Sequence, residues 1–347
     1  MAVGSGEAAL RSVRKAARPG KEFTLSVTVL GPERPYPILP TALSGLQGPV
    51  ALISAGWRYD EDRDEPLRDA IGRSVINLRL YAAFRDIERD APELVTAHAR
   101  KQVALKAVKT VYRDAIVSGL AGVQKLWADR RDPSCPWFQQ AIRHLQEVDS
   151  LFLAEAGRLH EQFAATELPF QHPLVRSIRD GIEDALANCS AVLVAGGHVG
   201  VLRNRMAFFG LDQALQGKRI FAWSGGAMVL AERILLYHDY TTHGVGLAEY
   251  LDRGFGLIPG VVFLPHAEQR LDLKSKDNIA ILASRLAPMR AIGLQNGGGI
   301  DPEGRVFGRE GAVTELGVDG VVRTILDASG LDASGLDASG GSHAART

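Results

Sequence analysis

The stretch Ile220-Phe-Ala-Trp-Ser-Gly-Gly-Ala-Met-Val-Leu230 governs the reading of the whole chain. Ile220 to Trp223 is a short apolar run, as in a strand covered on both faces. Ser224 and two glycines follow, then good helix formers from Ala227 to Leu235. Strand, tight turn and helix in that order lift a serine clear of the sheet, and small residues beside it let a substrate approach. The start of the helix also aims backbone N–H groups at any negative charge that forms there. Two readings fit this stretch: a nucleophile elbow, or an ordinary tight turn between strand and helix.

The flanks read as more of the same sheet. Phe23 to Leu30 alternates and is rich in β-branched residues, and Gly31-Pro-Glu-Arg-Pro35 breaks it. A short helix is expected over 40–46 and a buried strand over 50–55. Ala191 to Ala195 is strand-like and runs into Gly196-Gly197, and a helix is expected over 202–216. Further strands are expected at 260–264 and 291–294, with a helix at 277–286 and a closing hairpin from 305–307 and 312–316. Gly297-Gly-Gly299 lacks the lysine and following helix of a phosphate-binding loop and reads as a flexible turn. Gly196-Gly-His-Val-Gly200 lacks the third-glycine spacing of a dinucleotide fingerprint.

Residues 60–189 differ in character. Apolar residues recur at helical spacing: Leu67, Ile71 and Val75; Val103, Ala107, Val108 and Val111; Ile142, Leu145, Val148 and Leu151. Prolines fall near the expected starts of four long helices, at 66–89, 93–129, 137–164 and 173–188. That is too much helix for one crossover, so it reads as an inserted helical subdomain, expected to sit over the carboxyl ends of the strands or beside them, as a cap. The expected division is an α/β unit of 21–59 and 190–325, a helical insertion of 60–189, and a tail of 326–347. Residues 1–20 are expected to be loose. In the tail Leu-Asp-Ala-Ser-Gly repeats, and a segment with so little to bury is expected to be disordered.

The chain has 347 residues, with Lys+Arg 40 balancing Asp+Glu 40. A neutral field favours neither nucleic acid nor an anionic membrane as partner. No run approaches the roughly 18 apolar residues of a membrane span, and the basic N-terminus lacks the apolar segment of a secretory signal. Cys135 and Cys189 read as small half-buried residues in a reducing compartment. A soluble cytoplasmic protein is expected, with a homo-oligomer left open.

Four segments then stand in order: Gly196-Gly197, Trp223-Ser-Gly-Gly-Ala-Met228, Pro265-His-Ala-Glu-Gln-Arg270 and Ala291-Ile-Gly-Leu-Gln-Asn-Gly297. This order resembles the dipeptidase E and cyanophycinase family of serine peptidases, whose fold is that of the class I glutamine amidotransferases. The resemblance covers about 23–56 and 190–316. It implies a mostly parallel sheet flanked by helices, Ser224 as nucleophile and His266 as general base. It implies Gly197 and Gly225 as oxyanion donors and Arg270 as a holder of substrate carboxylate. The implied substrate is a small peptide or amide, with no cofactor and no metal. Three departures stand out. Ser224-Gly225-Gly226 replaces Ser-Ala-Gly, and His198 follows the double glycine where Asn or Asp is usual, which puts His198 on the substrate side. Leu294-Gln295-Asn296 replaces Leu-Asp-Glu, removing an acid that could orient the histidine. Asp239 is the best remaining acid, ahead of Glu268 and Asp301. The loss keeps a second reading open, a catalytically decayed domain that binds a ligand or partner. His238 and His243 flank Asp239, but with no third ligand at helpful spacing they read as loop histidines.

Overall fold

A computed structural model describes residues 26–34, 37–239 and 247–326. The start of the first expected strand, residues 1–20, His243 and the tail beyond Leu326 lie outside them. The strands are β1 (Ser26–Leu30), β2 (Val50–Ile53), β3 (Val75–Asn77), β4 (Ala191–Val194), β5 (Arg219–Trp223), β6 (Arg233–Leu236), β7 (Glu249–Arg253), β8 (Val261–Pro265), β9 (Arg290–Leu294), β10 (Gly298–Ile300), β11 (Val306–Gly308), β12 (Val313–Leu316) and β13 (Val322–Thr324). The helices are α1 (Leu39–Ala42), α2 (Glu65–Ile71), α3 (Leu80–Asp90), α4 (Pro92–Arg130), α5 (Pro136–Glu167), α6 (Pro173–Ala187), α7 (Val199–Phe208), α8 (Leu211–Ala214), α9 (Gly225–Leu230), α10 (Ala267–Arg270) and α11 (Lys276–Leu286).

The result is a mixed α/β protein. Its main sheet has seven strands in the order β11-β10-β1-β5-β4-β2-β3. β1, β5, β4, β2 and β3 run parallel, and β10 and β11 extend the edge antiparallel. A four-stranded sheet, β13-β12-β9-β8, lies beside it, with β8 parallel to β9. The central strands β2 and β4 are buried at every position, as their unbroken apolar runs require. Val27, Val29, Ile53, Val194 and Ala222 join one core cluster, while Leu30, Leu52, Leu193 and Trp223 join another on the opposite face.

Several expectations are corrected. The helix expected over 66–89 is two helices with β3 between them, and β3 pairs in parallel with β2. Gly72, at φ 59°, ends α2 in the left-handed region that only glycine enters freely, and the chain turns back into the sheet. The helix after Gly197 is likewise two, α7 and α8, broken at Gly210. Helix α9 stops at Leu230, and Arg233–Leu236, expected to continue it, is strand β6. Gly297-Gly-Gly299 is not a flexible turn: β10 starts at Gly298 and pairs with β1 and β11. A Cβ on Gly299 would meet the Phe307 ring at 2.5 Å, so the glycine makes room for that side chain. β11 and β12 consequently do not form the expected hairpin, because β11 joins β10 and β12 joins β9 and β13.

Helices α4 (39 residues) and α5 (32 residues) pack as a long hairpin. Along α4 the buried side is Leu94, Ala97, His98, Tyr112, Ile116, Val123 and Trp127. Val103 and Val111, expected in the core, face solvent, as does Leu151 on α5. Val111 precedes the buried Tyr112 by one residue, about 100° around the helix, so both cannot face α5. Tyr112, Asp149 and Arg285 tie this hairpin to α11. Arg285 donates to Asp149 through Nε at 2.8 Å and Nη2 at 2.6 Å, and to Tyr112 Oη at 3.0 Å. Tyr112 Oη donates to Asp149 at 2.7 Å and accepts the Tyr250 amide of β7 at 3.0 Å. Arg285 and Asp149 are both buried, at 3% and 1% exposure.

Among the described residues no helix is long and apolar enough to cross a membrane.

Candidate active site

The carboxyl ends of β1, β2, β4, β5 and β8 meet over one pocket, the end of an open α/β sheet where ligands bind. The pocket has a volume of about 750 Å³. Ser224 ends β5 with φ 51° and ψ −121°, a conformation strained for any residue with a Cβ, and α9 starts at the next residue. Such strain costs of order 1–3 kcal/mol and persists only where the surroundings impose it. They do so here. The Ser224 amide donates to Leu30 O at 3.4 Å, and Met228 N donates back to Ser224 O at 3.3 Å. Gly226 lies so close to β4 that a Cβ would sit 2.2 Å from Val194 O.

His266 follows β8 in the left-handed region, at φ 62° and ψ 30°. Its amide donates to Leu294 O at 3.0 Å, which fixes it to β9. Tyr237 Oη donates to Pro265 O at 2.5 Å and holds the end of the same strand. The outcome is a separation of 3.5 Å between Ser224 Oγ and His266 Nε2. Burial, and then the charge of Arg270, hold the His266 imidazolium below the ordinary histidine range, while the Gln269 side chain acts the other way. The ring is therefore neutral at neutral pH, with a lone pair available to take a proton.

Gly196 and Gly197 form the wall facing the serine. A Cβ on Gly196 would sit 2.8 Å from Ser224 Cβ. Gly197 has φ 108°, which a side chain would strain, and it is exposed to the pocket. Gly225 packs against it, its Cβ position 3.2 Å from Gly197 O. Gly225 N–H belongs to the first turn of α9 and has no partner inside the helix.

Four residues weighed for the site from the sequence are placed elsewhere. The Asp239 carboxylate does not reach His266; its Oδ2 accepts the Asp272 amide at 2.8 Å. Asp301 is used in its own turn, accepting from the Glu303 and Arg305 amides. Among the described residues no carboxylate bonds to His266. Arg270 does not line the pocket, and its guanidinium lies 5.9 Å from the Tyr237 ring centre. The His198 ring turns away, because its Nδ1 caps α7 by accepting the Val201 amide at 3.2 Å, and it lines a different cavity. Trp223, by contrast, both packs beneath the turn and lines the pocket.

The long helices also lie elsewhere. Residues 57–71 and 32–40 cover the pocket, and nothing from α4, α5 or α6 lines it. Of the expected insertion only the first residues, 60–71, cover the pocket, next to Trp57, while the hairpin packs on α3, α11 and β7.

No protein-family model matches this chain, and no curated protein matches it significantly. Among solved structures it is similar to a peptidase from an acI-B1 Actinobacterium, at 14% identity and a TM-score of 0.40, over 88% of this chain and 94% of that one. The similarity is remote.

Glu33 was missed by the sequence reading, which took Gly31-Pro-Glu-Arg-Pro35 only as a strand breaker. It lines the pocket opposite Ser224. Its Oε2 accepts the Ile38 and Leu39 amides at 3.1 and 2.9 Å, while Oε1 is buried without a partner. Burial pushes its carboxyl up to about 7 against those two bonds. Between the ordinary value of 4.5 and 7 the native state keeps a proton that the unfolded chain has released. Stability therefore falls as pH rises through that window, by about 2 kcal/mol once partial solvent access is allowed for. Glu33→Gln keeps the acceptor and removes the charge. It is expected to raise the melting temperature at pH 8 and leave it unchanged at pH 5. An equal shift at both pH values would contradict the buried-charge explanation.

Proposed function

We propose that the protein is a serine hydrolase acting on a small peptide or amide through an acyl-enzyme on Ser224. The observation that carries the reading is a serine strained at a strand–helix turn, 3.5 Å from a histidine, on the wall of a pocket of substrate size. A serine hydroxyl is too weak an acid to attack unaided near neutral pH. In this reading Ser224 Oγ attacks the substrate carbonyl while His266 Nε2 takes its proton. The Gly197 and Gly225 amides hold the oxygen that becomes negative, worth about 2.7–4 kcal/mol per donor in well-studied hydrolases. Collapse breaks the C–N bond, and His266 gives its proton to the leaving amine. Water then repeats the sequence and frees Ser224. The order of the segments, similar to that of the dipeptidase E and cyanophycinase family, supports the same assignment. So does the arrangement of the sheet-forming segments, with the helical hairpin as an appendage.

The second reading, a binding module that has lost catalysis, is favoured by one observation. No carboxylate among the described residues touches His266, so its imidazolium lacks the usual stabilising partner. Pre-steady-state kinetics separates the two. With an activated nitrophenyl ester the hydrolase is expected to give a burst of nitrophenol equal to the enzyme present, absent in Ser224→Ala. A trace without a burst, and no turnover of any dipeptide, would favour the binding module.

A further inference from the structure

A second cavity, of about 450 Å³, lies where the helical hairpin meets the α/β unit, between α4, α5, α7 and β7. It shares no lining residue with the Ser224 pocket, although one peptide bond joins Gly197 of the first to His198 of the second. Its walls carry Lys106, Lys109, Arg203 and Arg205 together with His98 and His160. Against these stands one lining carboxylate, Asp252. That carboxylate is already engaged, by His160 at 2.8 Å, Arg203 at 3.3 Å and the Arg253 amide at 2.8 Å. Lys109 is matched by Glu249 at 3.3 Å.

The rest of the positive charge is only partly matched: Arg203 shares Asp252 with His160, and its Nε donates to Arg253 O at 3.1 Å. The Arg203 side chain is only 12% exposed. Arg205 stacks over Phe84 at 3.5 Å; its Nη1 donates to Asn204 Oδ1 at 2.8 Å, while its Nε is buried with no acceptor. Lys101 sits nearby over the Phe163 ring at 4.0 Å. Burial, and then the Arg203 charge, bring its ammonium down to about 8. His98 is brought down to about 3 by burial and by the charges of Lys101 and Arg205. Cations that repel one another in a half-enclosed, partly desolvated space form a field that an anion would complete. Three histidines and a carboxylate line the cavity, yet the surrounding Lys and Arg charges oppose a metal cation. Leu105, Phe152 and Leu251 supply an apolar wall.

We propose that this cavity binds a small molecule with a doubly charged oxyanion head, as in a phosphate monoester, and a compact apolar body. Arg203 and Lys106 face the head, and Phe152 and Leu251 the body. The assignment is independent of any chemistry at Ser224. Size fits, since small-molecule sites are typically about 300–1,000 Å³ with a few convergent polar groups.

Calorimetric titration of the full chain with phenyl phosphate and with inorganic phosphate, at fixed ionic strength, tests it. Saturable one-to-one binding of phenyl phosphate is expected, with inorganic phosphate weaker because it lacks the body. Lys106 is exposed, so Lys106→Glu should fold normally, and it is expected to weaken binding by about tenfold or more. Lys125→Glu, about 28 Å further along α4, is expected to leave affinity within about twofold. No binding of either probe at about 10 mM, or equal losses in the two lysine variants, would overturn the proposal, the latter by showing general charge screening.

Discussion

Ser224→Ala and His266→Ala are each expected to lower kcat by about a thousandfold or more, and the double variant to be little worse than either. In the proposed mechanism the two groups form one device. Without the imidazole the hydroxyl keeps its proton, and without the hydroxyl the imidazole has nothing to activate. The strained backbone at Ser224, its amide on Leu30 O and the close approach of Gly196 all persist when only the hydroxyl is removed. Folding should therefore be unaffected, and melting curves should overlay. His198→Ala is the control. Its ring caps α7 and lines the second cavity, so turnover should survive. Loss of activity in His198→Ala with retention in His266→Ala would reverse the assignment of the base.

Arg285→Ala is expected to destabilise the protein by about 3–5 kcal/mol, the cost of leaving one member of a buried ion pair unpaired. Arg285 makes two bonds to Asp149 and one to Tyr112, all buried, and one to Ala248 O that is partly buried. Removing it strands the Asp149 carboxylate and the Tyr112 hydroxyl inside the junction of α4, α5 and α11. A double variant, Arg285→Met with Asp149→Leu, removes both charges and is expected to recover most of the loss. Denaturant unfolding of the single and double variants measures it. A loss below about 1 kcal/mol for Arg285→Ala, typical of an exposed pair, would show that water reaches the network.

The parts of the fold legible in the sequence were those where a local pattern has one structural outcome. The unbroken apolar runs at Val50–Ile53, Ala191–Val194 and 220–223 read as buried strand segments, and each is buried within a strand. The placement of Ser224 and His266 was legible because each follows such a run at a turn. β3 was not, because Val75-Ile-Asn77 continues the helical spacing of Leu67 and Ile71, and only pairing with β2 makes it a strand. β10 was hidden by glycines whose value lies in a neighbour, the ring of Phe307. Val103 and Val111 looked like core because apolar spacing on a 39-residue helix does not say which stripe the partner will cover. The acid was sought at Asp239 by distance along the chain, whereas its carboxylate is committed to the Asp272 amide. Glu33 carried no motif, and its environment depends on segments far apart in sequence.

Covalent labelling by a fluorophosphonate tests whether His266 makes Ser224 nucleophilic. The folded protein is expected to gain one phosphonyl group at Ser224, located by peptide mass spectrometry. His266→Ala should abolish the labelling while the protein stays folded. Failure of the folded wild-type chain to react, or labelling undiminished in His266→Ala, would contradict the claim.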